Sequence, residues 1–259
     1  MDLRLSGRRA LVTGGSKGIG LASARLLALE GCDIVLVSRS EANLASAKRE
    51  IESAAPKARI ETVPLDLSRD EAVPGLVERH GGHVDILVNN AGAIPGGRLS
   101  EIDQVRWRAA WDLKMFGYIG VTRAFYARMA ARRSGVIVNI IGAAGERMSA
   151  SYIAGSTANA GLMAFTRALG GASPADGVRV VGINPGPVST DRLEALQRGR
   201  AKSLLGDEER WRDLLKDLPF GRAATPDEIA AMVAFLASDL SAYTTGTIVT
   251  IDGGSSHKG

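Results

Sequence analysis

The feature that most constrains this chain is a regular alternation of short apolar runs with stretches of helical periodicity. Ala10–Val12, Ile34–Val37 and Ile60–Leu65 are three such runs, and Asp85–Gly92 holds a fourth with its exit loop. Between them lie a helix with apolar Ile19, Ala22, Leu26, Leu27 and Leu29, a polar helix from Glu41 to Ser53, and a helix from Asp70 to Arg79. Apolar runs this short, each followed by a helix, are parallel strands buried on both faces with right-handed crossovers. The expected fold is α/β: one doubly wound domain with Ala10–Val12 central. Ligands in such sheets bind beyond the carboxyl ends of the strands.

The first strand breaks at Thr13 into Gly14-Gly15-Ser16-Lys17-Gly18-Ile19-Gly20. Glycines let a backbone turn sharply and approach a ligand. The helix behind them offers free N–H groups and the positive end of its dipole, which suits a phosphate. At the end of the second strand, where NAD-selective folds place an acid for the ribose 2′-OH, stand Ser38 and Arg39. A guanidinium there, with Lys17 in the loop, suits a 2′-phosphate. NADP(H) is therefore expected over NAD(H).

Composition excludes several classes. No apolar run approaches the ~20 residues of a membrane span, and Met1–Arg4 begins no apolar signal segment. Net charge is +4, but the cations are scattered and lack aromatic neighbours, so no nucleic-acid partner is expected. The one cysteine, Cys32, reads as a buried packing residue in a cytoplasmic protein. His80-Gly81-Gly82-His83 reads as solvated turn histidines and not as a metal site.

Thr13–Gly20, Leu65-Asp66-Leu67, Asn89-Asn90-Ala91-Gly92, Pro185–Thr190 and Thr245–Gly254 together resemble the motifs of the short-chain dehydrogenase/reductase family, in their order and over almost the whole chain. The resemblance implies a Rossmann-type domain spanning 1–259, with a parallel sheet of about seven strands, in a homodimer or homotetramer. It implies that Gly14, Ser16, Lys17, Gly18, Ile19 and Gly20 cradle a pyrophosphate. Asp66 and Leu67 would meet the adenine, and Asn90, Ala91 and Gly92 the inner ribose. Val188 and Thr190 would take the nicotinamide carboxamide beside Pro185 and Gly186.

The resemblance fails where the family keeps its chemistry. Those enzymes use a tyrosine, a lysine one turn later, a serine on a preceding strand and an asparagine on another helix. Aligned through Phe165–Leu169, the tyrosine place is Gly155, eleven residues before Thr166, and the lysine place is Asn159. The serine place is Gly142, thirteen residues before Gly155, and the asparagine place is Lys114 in Trp111–Gly117. Cation and amide look exchanged between helices.

Tyr152 lies three residues before Gly155. On a helix it would sit ~60° round and ~4.5 Å back, leaning further away. The candidate acid–base groups are Lys114, Tyr152 and Glu146, with Asn159 beside them. Lys114 is the favoured proton donor, or the group that activates Tyr152.

The segment 191–220 falls where relatives carry a substrate lid, and from Asp191 to about Leu218 it reads as a charged helix. Trp211, Leu214 and Leu215 give it an apolar face, so the small-molecule substrate is expected to be partly apolar. The functional expectation is an NADP(H)-dependent oxidoreductase acting on a carbonyl or alcohol through an atypical proton relay. The alternative is a non-catalytic NADP(H)-binding scaffold or sensor.

Overall fold

The computed structural model describes residues 2–69 and 71–257. The strands are β1 (Arg9–Thr13), β2 (Asp33–Ser38), β3 (Ile60–Pro64), β4 (Ile86–Asn89), β5 (Gly135–Ile140), β6 (Val178–Pro185) and β7 (Ile248–Ile251). The helices are α1 (Gly18–Leu29), α2 (Glu41–Ala54), α3 (Ala72–His80), α4 (Gln104–Trp111), α5 (Gly117–Ala131), α6 (Ile153–Ala172), α7 (Asp191–Leu205) and α8 (Pro226–Ala237). The seven strands form one sheet in the order β3-β2-β1-β4-β5-β6-β7, and every pairing is parallel.

Because successive strand residues face opposite sides, one sequence feeds two cores. Ala10, Val12, Ile34, Leu36, Ile86, Val88, Val138 and Val181 pack on one face with α1, α2 and α8. Leu11, Val35, Val37, Leu87, Ile137 and Val180 pack on the other with α3 and α5. Chain order reverses between β1 and β4, so β1 is an interior strand beside the middle one. A crevice opens at that switch point, beyond the carboxyl ends.

Two expectations change. His80 is buried, not solvated: its side chain is 2% exposed and Nε2 stands 3.8 Å from Glu61 Oε1. It lies three and four residues after Val77 and Leu76, on the inner face of α3, and burial lowers its pKa. His83 is exposed, and Asp70 lies outside the described residues.

The 191–218 segment is not one helix. Gly206 ends α7 in the left-handed region at φ +74°, and a 3₁₀ stretch, Glu208–Leu215, folds back against it. Trp211 is buried there. Among the described residues, no helix is long and apolar enough to cross a membrane.

Candidate active site

The crevice is a cleft of about 1640 Å³. Its floor is set by hydrogen bonds between strand ends. The Thr13 hydroxyl accepts the amides of Asn90 (2.9 Å) and Ala91 (3.1 Å). The Asn90 amide donates to Thr13 O (3.2 Å) and Gly14 O (3.1 Å). These four bonds tie the glycine loop to the β4 exit. A Cβ on Gly14 would lie 2.9 Å from Asn90 Nδ2, and one on Gly20 would lie 2.3 Å from Gly14 O. The loop can pass only as glycine.

Beneath the floor, Asn89 Nδ2 donates to Thr122 Oγ1 and to Asn139 Oδ1, both at 2.9 Å. Asn139 Nδ2 donates to Thr166 Oγ1 at 3.0 Å. This buried chain joins β4, β5, α5 and α6.

Of the residues expected at a cofactor, Gly14, Ser16, Lys17, Gly18, Ile19, Arg39, Asn90, Ala91, Gly92, Pro185, Gly186, Val188 and Thr190 line the cleft. The four others do not line it. Gly20 is packed under the loop, and Ser38 accepts a 2.9 Å bond from Ser16 Oγ. Leu67 is buried in the core. Asp66 accepts the amide and hydroxyl of Ser68. Desolvation alone would raise its pKa, but those bonds and the charges of Arg39 and Arg69 bring it below the usual carboxylate value.

A dinucleotide fits this end of the cleft. α1 has no side-chain cap at Lys17, so its first-turn amides are left to a ligand. Arg39 is exposed, and Lys17 reaches Asp191 Oδ2 at 3.3 Å across the cleft mouth.

The other end gathers three of the four catalytic candidates. A π-helical turn, Asp112–Phe116, joins α4 to α5 and carries Lys114. Such turns recur at functional sites because the extra residue redirects a side chain. The Lys114 stem runs over Gly92, where a Cβ would lie 2.8 Å from its Cδ. Its ammonium donates to Ile141 O at 2.6 Å. From the opposite side, Asn159 Nδ2 donates to the next carbonyl, Gly142 O, at 3.3 Å. The cation and the amide thus meet at the end of β5.

Burial and then the charge of Arg192 lower the Lys114 pKa to about 7. Among the described residues, Lys114 has no carboxylate partner. The Asn159 Oδ1 is buried without a donor.

Gly142 and Gly155 each make room for a neighbour. A Cβ on Gly142 would lie 2.8 Å from Asn159 Nδ2. A Cβ on Gly155 would lie 2.0 Å from Tyr152 Cε1 and 2.2 Å from its Cζ. The Tyr152 ring therefore fills the space where a side chain at 155 would begin. The helical projection that turned it away does not hold, because Tyr152 precedes the first turn of α6 at φ −139°, ψ 40°. Its hydroxyl stands 3.5 Å from Arg192 Nη2.

Glu146 is not part of the cluster. It is exposed, accepts a 2.9 Å bond from Thr250 Oγ1, and does not line the cleft.

Sequence reasoning missed Thr13, Arg192 and Trp111. Trp111 Nε1 donates to Ala154 O at 3.1 Å and pins α4 to the start of α6. Thr13 carried a signal, a hydroxyl at the last position of an apolar strand. Arg192 carried none, since its contacts are all distant in sequence. The apolar contribution of 191–220 was also misplaced: α7 lines the cleft with Leu193, Leu196 and Leu204, joined by Leu218, whereas Trp211, Leu214 and Leu215 do not line it.

Known proteins are similar to the chain over nearly its whole length. Residues 14–256 match the family described as enoyl-(acyl carrier protein) reductase. The 3-oxoacyl-(acyl-carrier-protein) reductase of Chlamydia muridarum is 32% identical over 257 residues, covering 98% of this chain and 99% of the relative. L-sorbose reductase from Gluconobacter frateurii, solved with NADPH and L-sorbose, superposes with TM-score 0.90 at 30% identity, over 100% of both chains. An NAD⁺-bound xylitol dehydrogenase superposes with TM-score 0.90 at 27% identity, over 97% of this chain and 100% of that one. The chain belongs to the short-chain dehydrogenase/reductase family of oxidoreductases.

Proposed function

We propose that this chain reduces a carbonyl, or oxidises the matching alcohol, with NADP(H), and that Lys114 moves the proton. The observation that carries the reading is the Lys114 ammonium, held at the end of β5 on Ile141 O, one carbonyl from the Asn159 amide, with a pKa of about 7. A group that titrates near the working pH is matched to acid–base catalysis.

The loop amides and the α1 N-terminus would hold the pyrophosphate, and Arg39 with Lys17 would take a 2′-phosphate. The bound nicotinamide supplies or accepts the hydride. In reduction, Lys114 gives its proton to the substrate oxygen, and Asn159 keeps the carbonyl strand end in place. Tyr152 presents a hydroxyl to the cleft beside Arg192. Residues 191–220 act as the lid, with α7 as its inner surface. A positioned acid is worth ~10²–10⁴-fold, so one lysine can replace the family's donor.

The test is a titration with NADPH and NADH, followed by NADPH oxidation with a panel of ketones, aldehydes and quinones. Tighter binding of NADPH and turnover that Lys114→Met reduces by about 10²-fold or more support the proposal. NADPH binding with no turnover on any member would favour the scaffold reading.

A further inference from the structure

We infer that the substrate carries an anionic group, a carboxylate or a phosphate, received by Arg192 beside Tyr152. The inference rests on the oxidoreductase reading, because it names the substrate class of that same site.

Its basis is an imbalance of charge on the β4–β7 side of the cleft. Arg192 Nη1 donates to Gly92 O (3.3 Å), and Nη2 donates to Ile94 O (2.8 Å). Two backbone carbonyls thus fix the guanidinium over the β4 exit. Its charge reaches Lys114, and its Nη2 stands 3.5 Å from the Tyr152 hydroxyl. Among the described residues, Arg147 donates only to a backbone carbonyl, Ser255 O. The side chains of Arg106 and Arg200 have no partner among the described residues.

The acids that line the cleft are engaged elsewhere. Asp191 pairs with Lys17. Asp252 accepts the amides of Gly254 and Ser256, and Glu101 accepts the amide of Arg98.

The contrast lies within one helix. Arg198, on the outer side of α7, is ion-paired to Glu194 (2.9 Å) and Glu209 (2.5 Å). Arg192 and Arg200 line the cleft and have no carboxylate partner among the described residues. Within α7, the paired guanidinium lies outside the cleft, and the two that line it are unpaired among the described residues. A guanidinium makes charge-assisted bonds to a carboxylate or phosphate through the N–H groups that the two carbonyls leave free. An anion there would also offset the repulsion between Arg192 and Lys114 and so favour the protonated ammonium.

The probes are two matched pairs: 4-oxopentanoate with its methyl ester, and 2-oxopropylphosphonate with its dimethyl ester. Each is titrated calorimetrically into the NADPH-loaded protein and assayed for NADPH oxidation. The acid of at least one pair should bind at least about tenfold more tightly than its ester. The pair that discriminates says whether the group is a carboxylate or a phosphate.

Arg192→Gln should abolish the discrimination, Arg192→Lys should restore part of it, and Arg198→Gln should leave it intact. Circular dichroism of each variant checks the fold. Equal binding of acid and ester, no binding of any probe, or discrimination that survives Arg192→Gln overturns the inference. Acids that bind without oxidising NADPH sustain the anion site and count against the oxidoreductase reading. Esters oxidised as well as acids do the reverse.

Discussion

Gly155→Ala tests how the Tyr152 ring is held. An added Cβ would stand 2.0 Å from Tyr152 Cε1, 2.2 Å from Cζ and 2.6 Å from Cδ1. Carbon atoms pack at about 3.5–4.0 Å, so the ring must move by roughly 1.5 Å. Its side packs against Ile94, Ile102, Ala154 and Ala158, with Trp107 and Trp111 in the same cluster, which leaves little room to move.

Two terms oppose each other. Overpacking costs about 1–3 kcal/mol, while alanine gains about 0.5–1 kcal/mol over glycine in a helix. The gain is smaller here, in the first turn of α6. The net expectation is a loss of about 1–2 kcal/mol.

The assay is denaturant unfolding of the wild type, Gly155→Ala, Tyr152→Ala and the double variant, read as a midpoint shift at constant slope. With the ring removed, the alanine fits, so the double-mutant cycle should show about 1–2 kcal/mol of coupling in favour of the pair. A coupling of zero would refute the reasoning, since it would mean the ring does not occupy that space.

Arg39→Asp should weaken NADPH binding by at least about tenfold, through loss of a charge-assisted contact, while NADH binding changes less; fluorescence titration of both cofactors reads it, and an unchanged ratio would sink the assignment. Asn90→Ala should cost about 1–3 kcal/mol in thermal or denaturant unfolding, because Thr13 O and Gly14 O lose their donor. Arg179→Met should cost about 2–4 kcal/mol in the same assay, since the guanidinium donates to the carbonyls of Leu236, Ala237 and Ser238 at the end of α8; a change below 0.5 kcal/mol would show that those carbonyls find water instead.

The fold was legible because the strands are short, apolar and evenly spaced. Ala10-Leu11-Val12 has to face both ways, and it does: Leu11 goes to one core while Ala10 and Val12 go to the other. The glycine loop was legible because Gly14 and Gly20 are sterically obliged. The catalytic end was legible only as an absence. Counting residues put glycine at 142 and 155, but it could not show that Asn159 and Tyr152 fill the space.

Tyr152 was misread for one reason: helical geometry was extended one residue beyond the first helical one. His80 was misread because its Gly-Gly neighbours outweighed the apolar face of α3, on which it lies. Arg192 could not have been found, since the carbonyls that orient it lie about a hundred residues earlier in the chain.

The most direct test of Lys114 as proton donor is the pH dependence of kcat/KM for reduction, in the wild type and in Lys114→Met. Burial brings the ammonium down to about 7, and reduction needs the protonated form. The wild-type rate should be flat below that pH and fall about tenfold per unit above it, while alcohol oxidation should rise through the same range and then level off. Lys114→Met should lower the reductive rate by about 10²-fold or more and show no inflection near 7. The same inflection in the methionine variant, or a wild-type profile flat to pH 9, would contradict the claim.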